Sequence, residues 1–151
     1  MFYVHEGGFG YVATAKFSGR TGHLVKTKMV NGTVEATKFS GAVSATNMPA
    51  GFGMIEPDGQ LRQKINYTNA PVVHDAFSAG ESLVVVKGSG YAACNLFEPG
   101  TYLFQDPLTA STNGMLRKAA GDEPVIATIE SGNYTFPTPG GLVNITFRFS
   151  A

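Results

Sequence analysis

The chain has 151 residues, 43% of them hydrophobic, which is enough apolar sequence for one folded core or two small ones. Its 11 basic and 11 acidic residues give a formal net charge of zero, and only 15% of the residues are charged. Proteins that bind nucleic acid through bulk charge are normally strongly basic, so that class is excluded. The 19 glycines and 8 prolines predict many tight turns and argue against a helical bundle.

The cysteine content and the first residues limit the cellular setting. Cys94 is the only cysteine, which excludes a disulfide framework and a cysteine-rich zinc site. Residues 1–8 lack the basic and apolar regions of a signal peptide. The longest aliphatic run, Leu83–Val86, is far shorter than the roughly 20 residues of a membrane helix. We therefore expect synthesis in a reducing cytoplasm and no membrane partner.

The first predicted elements along the chain are strands. Residues 10–17 are apolar with polar interruptions, and residues 23–30 and 33–37 flank the pair Asn31-Gly32. An Asn-Gly pair between two β-like segments is a strong hairpin signal, because both turn residues must adopt positive φ. The sequence therefore predicts a β-hairpin with its turn at Asn31-Gly32.

The later part of the chain gives the same fold class. The turn signal recurs at Asp58-Gly59 and Asn113-Gly114, and the most helix-permissive stretch, residues 115–123, is short. Residues 141–149 alternate strictly, as in a strand with one buried face, and four apolar side chains share that face: Val143, Ile145, Phe147 and Phe149. The prediction is an all-β protein with little or no helix.

Composition along the chain suggests a short arm and two β-units. Residues 1–10 mix aromatics with glycines and are predicted to form a flexible N-terminal arm. A weak repeat relates a first β-unit at 11–68 to a second at 69–151, as one compact domain or as two similar units in tandem. The first 64 residues carry the excess of basic side chains and the remainder the excess of acidic ones. Such asymmetry suits docking on an acidic surface or head-to-tail packing of copies.

Motifs for catalysis are weak. The three histidines are widely separated, and the three Gly-x-Gly segments do not open a helix or precede Lys-Ser/Thr, so neither a metal site nor a phosphate loop is predicted. No nucleophile elbow occurs, and Cys94 lies in an apolar run. Residues 19–22 and 51–54 faintly resemble substrate loops of trimeric dUTP pyrophosphatases, at the wrong positions. We expect no catalytic residue, cofactor, metal or small-molecule substrate, with a small trimeric β-enzyme as a remote alternative.

The order of segments in the second half resembles the small decoration, or cement, proteins of tailed-bacteriophage heads. The resemblance is carried by the strand at 100–106, the Asn-Gly hairpin at 112–119, the Ala-Gly-Asp-Glu-Pro-Val segment at 120–125 and the closing strand at 142–149. The resemblance covers roughly residues 80–149, and residues 18–55 show a weaker one. Ile126-Ala127 departs from the family, in which Gly often follows Val.

The resemblance implies a compact antiparallel β-barrel or β-tulip-like module that forms a homo-trimer or homo-dimer. Such a protein is made in the bacterial host and sits on the outer surface of the virion, where it bridges neighbouring major capsid protein subunits and stabilises the head. It binds no nucleic acid, membrane or small molecule. The alternative is another phage β-structural part, in the tail tube, tail tip or fibre base. A long extended loop would favour the tail, and residues 39–53 are the candidate.

Candidate contact residues follow from the unusually high aromatic content. The 11 phenylalanines are too many for a small core alone, so some are expected at subunit or capsid contacts. The arm is expected to order on binding by adding to a partner's sheet edge, so that deleting residues 1–10 abolishes association and leaves the fold intact. The predicted contacts are four aromatic anchors and four cations that face an acidic capsid surface: Phe2, Tyr3, Phe9, Tyr11, Lys16, Arg20, Lys26 and Lys28.

Overall fold

A computed structural model describes residues 2–55, 76–136 and 142–149, and within these ranges every regular element is a β-strand. The described part contains no helix that is long and apolar enough to cross a membrane. The all-β prediction is therefore confirmed. The strands are β1 (Phe2–Ala15), β2 (Gly19–Arg20), β3 (Leu24–Val30), β4 (Thr33–Lys38), β5 (Gly51–Ile55), β6 (Ala76–Phe77), β7 (Ser82–Cys94), β8 (Gly100–Tyr102), β9 (Pro107–Ala110), β10 (Leu116–Lys118), β11 (Ala127–Ile129), β12 (Tyr134–Phe136) and β13 (Val143–Arg148).

Local sequence signals explain the hairpins and the last strand. Asn31 and Gly32 adopt φ values of 50° and 79° and join β3 to β4, as predicted. Gly114, with φ of 72°, lies in the turn between β9 and β10. In β13 the apolar positions are buried and the polar positions between them are more exposed. Short-range patterning is thus sufficient to position these three elements.

Nine strands form one sheet in the order β1-β4-β3-β5-β7-β13-β11-β9-β10, and β1 also pairs with β7. This extra pairing closes β1, β4, β3, β5 and β7 into a ring of five strands, from which β13, β11, β9 and β10 extend as a wing. Two small sheets, β8 with β12 and β2 with β6, complete the described topology. The sheet is antiparallel except for one pair, β1 and β4, which is parallel and corrects the fully antiparallel expectation.

The long strands β1 and β7 connect the ring to the wing. Along one edge of β7, residues 83–86 pair with β5 and residues 89–94 pair with β13, while β1 pairs with nearly the whole opposite edge. The β1–β7 register is irregular between Val4 and Glu6 and between Gly7 and Phe9. Gly7 and Gly8 have positive φ at this point, which permits the bulges that bend the pair from the ring into the wing.

The apolar side chains form two buried clusters. All five ring strands contribute to the smaller cluster, which includes Ala13, Val25, Ala36, Ile55, Leu83 and Val85. The larger cluster lies under the wing, and its aromatic centre has Phe52 in contact with the rings of Phe2, Phe147 and Phe149 at centroid distances of 4.4, 5.7 and 5.2 Å. Both halves of the chain supply both clusters.

The predicted units meet in the same sheet. Residues 2–10, expected as a flexible arm, lie in β1 and pair with β7 from the second predicted unit. The proposed boundary between residues 68 and 69 lies outside the described residues, as do Asp58-Gly59 and His74. The division into two units therefore stays a prediction.

Candidate interaction surface

The first strand carries a concentration of exposed apolar side chains. Tyr3, Phe9 and Val12 are 36%, 59% and 58% exposed, and all three lie in β1. The other exposed large apolar side chains of the described residues are dispersed over three sites: Met29, Leu103 with Phe104, and Val125. Scattered single apolar residues are normal on protein surfaces, but three on one strand are a concentration suited to binding. Pairing with β7 is regular from Phe9 to Val12, so these two side chains point to opposite faces of β1 and flank its edge. We call these three side chains the β1 surface.

One edge of β1 is also unpaired over most of its length. One side of the strand pairs with β7 from Phe2 to Thr14, whereas on the other side only Thr14 and Ala15 pair, with β4. Within the described ranges, no strand pairs with the second edge of residues 2–13. Such an edge presents main-chain N–H and C=O groups to which a strand of another chain can be added.

The neighbouring strand holds the ring of Phe9 in place. The ammonium group of Lys87, directly opposite on β7, lies 5.6 Å from the centroid of the ring. Gly88 lies beneath the same ring, and a Cβ at that position would approach within 2.9 Å of Phe9 Cε1. The cation–π contact and the missing side chain at residue 88 together fix where the ring lies against β7.

Two of the predicted aromatic anchors point inward. Phe2 is 2% exposed and stacks on Phe52 in the larger cluster. Tyr11 is half-buried beside the smaller cluster, where its hydroxyl is hydrogen-bonded to Thr27 Oγ1 at 2.9 Å. The structure therefore brings Tyr3 and Phe9 to the surface and uses Phe2 and Tyr11 in internal packing.

The four predicted cations lie around the β3–β4 hairpin and the segments that precede it. Lys16 forms an ion pair with Glu35 at 3.4 Å, and Lys26 donates a hydrogen bond to Asn47 Oδ1 at 2.7 Å. Lys28 is exposed and has no ion-pair partner within the described residues. Of the three lysines, Lys28 has the ammonium most accessible to an external acidic group.

Arg20, the fourth predicted cation, is exposed, and its main-chain N–H donates to His23 Nδ1 at 2.9 Å. Partial burial lowers the pKa of His23 and the nearby charges of Lys38 and Arg20 act in the same direction, whereas the contact of Nδ1 with the Arg20 main-chain oxygen at 3.1 Å opposes them. His23 therefore acts as a neutral local acceptor for this turn at pH 7.

Groups capable of acid–base or metal chemistry are dispersed. The described residues contain no group of three His, Cys, Asp or Glu side chains that could hold a metal ion. Burial raises the pKa of the Cys94 thiol, so the sulfur stays protonated inside the larger cluster. His5 lies against the ring of Tyr91, with ring centroids 5.2 Å apart. The β1 surface offers exposed apolar side chains and an open strand edge.

The sequence prediction missed Val12. In the segment 10–17 the odd positions Tyr11, Ala13 and Ala15 face the ring interior, and Val12 lies between them on the outer side. The other even positions in this segment are Gly, Thr and Lys. An isolated valine on an otherwise small or polar face is the signal that would have identified it.

Comparison with known proteins gives one line of evidence, from structure. No protein-family model and no curated protein matches this sequence. Among solved structures, the fold is similar to that of the N base of the head fibre protein gp8.5 of bacteriophage phi29, with a TM-score of 0.53 and 12% sequence identity. The match covers 100% of each chain. At this identity the likeness concerns the fold.

Proposed function

We propose that this chain is a structural protein of a tailed-phage virion that binds the outer surface of the head and bridges neighbouring major capsid protein subunits. The observation that carries the proposal is the end-to-end likeness of its fold to a phage head fibre base. The segment order resembling the decoration proteins of phage heads supports the same location. Neither the fold likeness nor the segment order involves a catalytic or cofactor site.

The β1 surface supplies a mechanism for attachment. The unpaired edge of β1 accepts a strand or extended segment of the capsid protein through main-chain hydrogen bonds, while Phe9 and Val12, on opposite faces of β1, contact apolar groups of the partner on either side of that strand. Main-chain pairing provides affinity that does not depend on sequence, and the side chains select the partner. Lys28 adds a long-range attraction to an acidic capsid surface.

Avidity makes weak contacts of this kind sufficient. A standard protein interface buries about 1,200–2,000 Å², and a single strand edge with two or three apolar side chains falls at the low end. A symmetric homo-oligomer presents several copies of the β1 surface at once. After the first contact the others form at high effective concentration, so the whole particle binds far more tightly than one chain.

A second candidate is the base of a head fibre, and the phi29 likeness specifically favours it. In that role the same surface docks on the capsid, and the chain anchors a projecting fibre. The tail alternative has less support, because residues 39–53, the candidate extended loop, are held by contacts within the chain. Asn47 Nδ2 donates to the main-chain oxygens of Ser40 and Ala42, and Phe39 is fully buried.

The proposal is tested by co-sedimentation of the purified protein with heads, assembled without it, of the phage that encodes it. Saturation at a fixed number of copies per major capsid subunit is expected. Replacing both Phe9 and Val12 by serine should weaken binding at least tenfold, because two exposed apolar anchors are lost.

Conservative replacements provide the matched control. A chain with Phe9→Tyr and Val12→Ile keeps the aromatic and branched apolar surface and should bind like the unmodified protein. Both variants change only the exposed residues Phe9 and Val12, so the temperature of thermal unfolding should change little in either. Head binding that is absent at micromolar concentration would refute the proposal. Equal binding by the serine and conservative variants would remove the β1 surface from it.

A further inference from the structure

The sequence contains two Asn-Gly pairs, and the fold places them in different environments. Asn31-Gly32 joins β3 to β4, and Asn113-Gly114 lies between β9 and β10. An asparagine followed by glycine is especially prone to lose its side-chain amide, because glycine has no side chain to shield the main-chain nitrogen that attacks it. The two pairs share this local chemistry, so any difference between them comes from the fold.

The reaction closes a ring on the asparagine residue itself. The main-chain nitrogen of the glycine loses its proton to solvent base and forms a bond to the side-chain carbonyl carbon, Cγ, of the asparagine. The bond from Cγ to the amide nitrogen breaks, and this nitrogen takes up a proton and leaves as ammonia. Water then opens the cyclic imide at either of its two carbonyl groups, which gives aspartate or isoaspartate. Water is therefore the only reactant that the protein does not supply.

At Asn31-Gly32 the reacting groups are not held by hydrogen bonds. Both residues are exposed, and within the described residues neither the Asn31 side-chain amide nor the Gly32 main-chain N–H forms a hydrogen bond. A Cβ at Gly32 would contact nothing within 4 Å, so no packed group restricts the peptide between the two residues. The attacking nitrogen and the amide that it attacks are both open to solvent.

The turn geometry allows the attack without loss of the hairpin. Positive φ at both Asn31 and Gly32, in a two-residue loop closed by the Val30–Thr33 pair, is the conformation of a type I′ turn. In a type I′ turn the nitrogen of the second residue points away from the side chain of the first. Rotation of the central peptide plane gives the type II′ turn, also favoured in two-residue hairpins, and brings this nitrogen beside Cγ. Glycine tolerates the accompanying change in the sign of its φ, so the strands keep their register.

At Asn113-Gly114 both reacting groups are held. The Asn113 side-chain amide donates to Glu98 Oε1 at 3.0 Å, and the Gly114 N–H donates to the main-chain oxygen of Ser111 at 3.1 Å. Gly114 is buried, and its main-chain oxygen accepts a hydrogen bond from the N–H of Leu24 at 2.8 Å. Rotation of the peptide between Asn113 and Gly114 would break the bond to Ser111. Attack at this pair therefore requires local unfolding.

We infer that Asn31 is a site of spontaneous modification in the folded protein, where asparagine is converted through a cyclic imide to isoaspartate and aspartate, and that the fold protects Asn113. The main chain of isoaspartate runs through Cβ, so it adds one methylene group to a two-residue loop and the turn must change. The new carboxylate lies on the same hairpin as Lys26 and Lys28 and removes one unit of positive charge from it. This inference is independent of the proposed function.

The first test compares the two pairs in the folded and the unfolded chain. The full-length protein is incubated at pH 7.4 and 37 °C, with and without guanidinium chloride, and digested with trypsin. Mass spectrometry follows the gain of about 1 Da that accompanies replacement of the amide by a carboxylate. In denaturant the two pairs should react at similar rates, whereas in the folded chain Asn31 should react at least tenfold faster than Asn113. Equal rates in the folded chain, or a faster reaction at Asn113, would overturn the inference.

The second test identifies the intermediate from its products and from the pH dependence of the rate. Modified peptides that contain residue 31 should include both isoaspartate and aspartate, which enzymatic methylation of isoaspartate and chromatography distinguish. The rate should rise between pH 6 and pH 9, because the attacking nitrogen must lose its proton. Aspartate as the sole product would show direct hydrolysis of the amide and refute the cyclic imide.

A variant assigns the modification to residue 31. The tryptic peptide 29–38 contains Asn31 as its only amide side chain. In an Asn31→Asp chain the pair Asp-Gly keeps the preference for the type I′ turn, so the protein should fold. The gain of about 1 Da in this peptide should then be absent, while the slow reaction at Asn113 is unchanged. The same gain in the variant peptide would refute the assignment.

Discussion

At the scale of single residues, two glycines are required for different physical reasons. Gly32 has positive φ in an open turn, and a Cβ there would contact nothing within 4 Å. Gly90 lies in β7, where a Cβ would come within 2.6 Å of both Glu6 O and Phe147 Cζ. The two positions separate conformational from steric causes of a glycine requirement.

Replacing each glycine by alanine should therefore have different costs. Gly32→Ala should lower the free energy of unfolding by about 1 kcal/mol, because only the left-handed conformation is penalised. Gly90→Ala should cost well over that, since main chain and a packed aromatic ring must both move. Urea denaturation of the two variants measures the difference. Equal losses would contradict the close β1–β7 approach.

A second residue-scale feature is the ionic clasp that follows β10. Arg117 donates from Nη1 and Nη2 to the two carboxylate oxygens of Glu123, at 2.8 and 2.6 Å, and the Ala120 N–H donates to Oε1 at 2.9 Å. These bonds lower the pKa of Glu123 to about 2, with the Arg117 side chain as the main cause. The same pairing raises the pKa of Arg117.

The clasp predicts a defined pH dependence of stability. The pKa of Glu123 is lower in the folded than in the unfolded chain, so the carboxylate stabilises the fold above about pH 4.5 and this contribution is lost as pH falls toward 2. Glu123→Gln should be less stable than the unmodified chain at pH 6, and the difference should shrink by pH 2. Denaturation at several pH values measures it, and a difference independent of pH would contradict the role of the charge.

At the scale of elements, β1 combines internal and external roles. Phe2 belongs to the larger cluster, residues 2–14 pair with β7, and Tyr3, Phe9 and Val12 are exposed. The register irregularities between Val4 and Phe9 change which side chains point inward along the strand. A simple alternation rule therefore assigns the faces of this strand incorrectly.

Deletion of residues 1–10 should accordingly affect stability as well as binding. Removing Phe2 from its stack on Phe52 alone should cost about 3–5 kcal/mol, and the lost β7 pairing adds to that. Chemical denaturation measures the loss, with the Phe9→Ser, Val12→Ser chain as a full-length comparison. A truncated chain as stable as the intact one would show that β1 contributes little to the fold.

At the scale of the whole molecule, local and non-local features differed in how well the sequence predicted them. The Asn31-Gly32 hairpin and the alternation of β13 depend on neighbouring residues and were predicted correctly. The parallel β1–β4 pair and the closure of the ring join distant segments, and no local pattern encodes them. Phe2 and Tyr11, predicted as contact residues, pack internally because their partners Phe52 and Thr27 come from other strands, which no local pattern shows.

Closure of the ring also has a consequence for how the protein folds. β1 is synthesised first, but its partner β7 begins only at Ser82 and β13 ends at Arg148. During translation at about 5–20 residues per second, β1 therefore waits several seconds before its long pairing with β7 can form. Proteins dominated by such long-range strand pairing fold slowly, in milliseconds to seconds. The nascent chain is thus exposed to aggregation for longest at the very strand whose open edge we propose for docking.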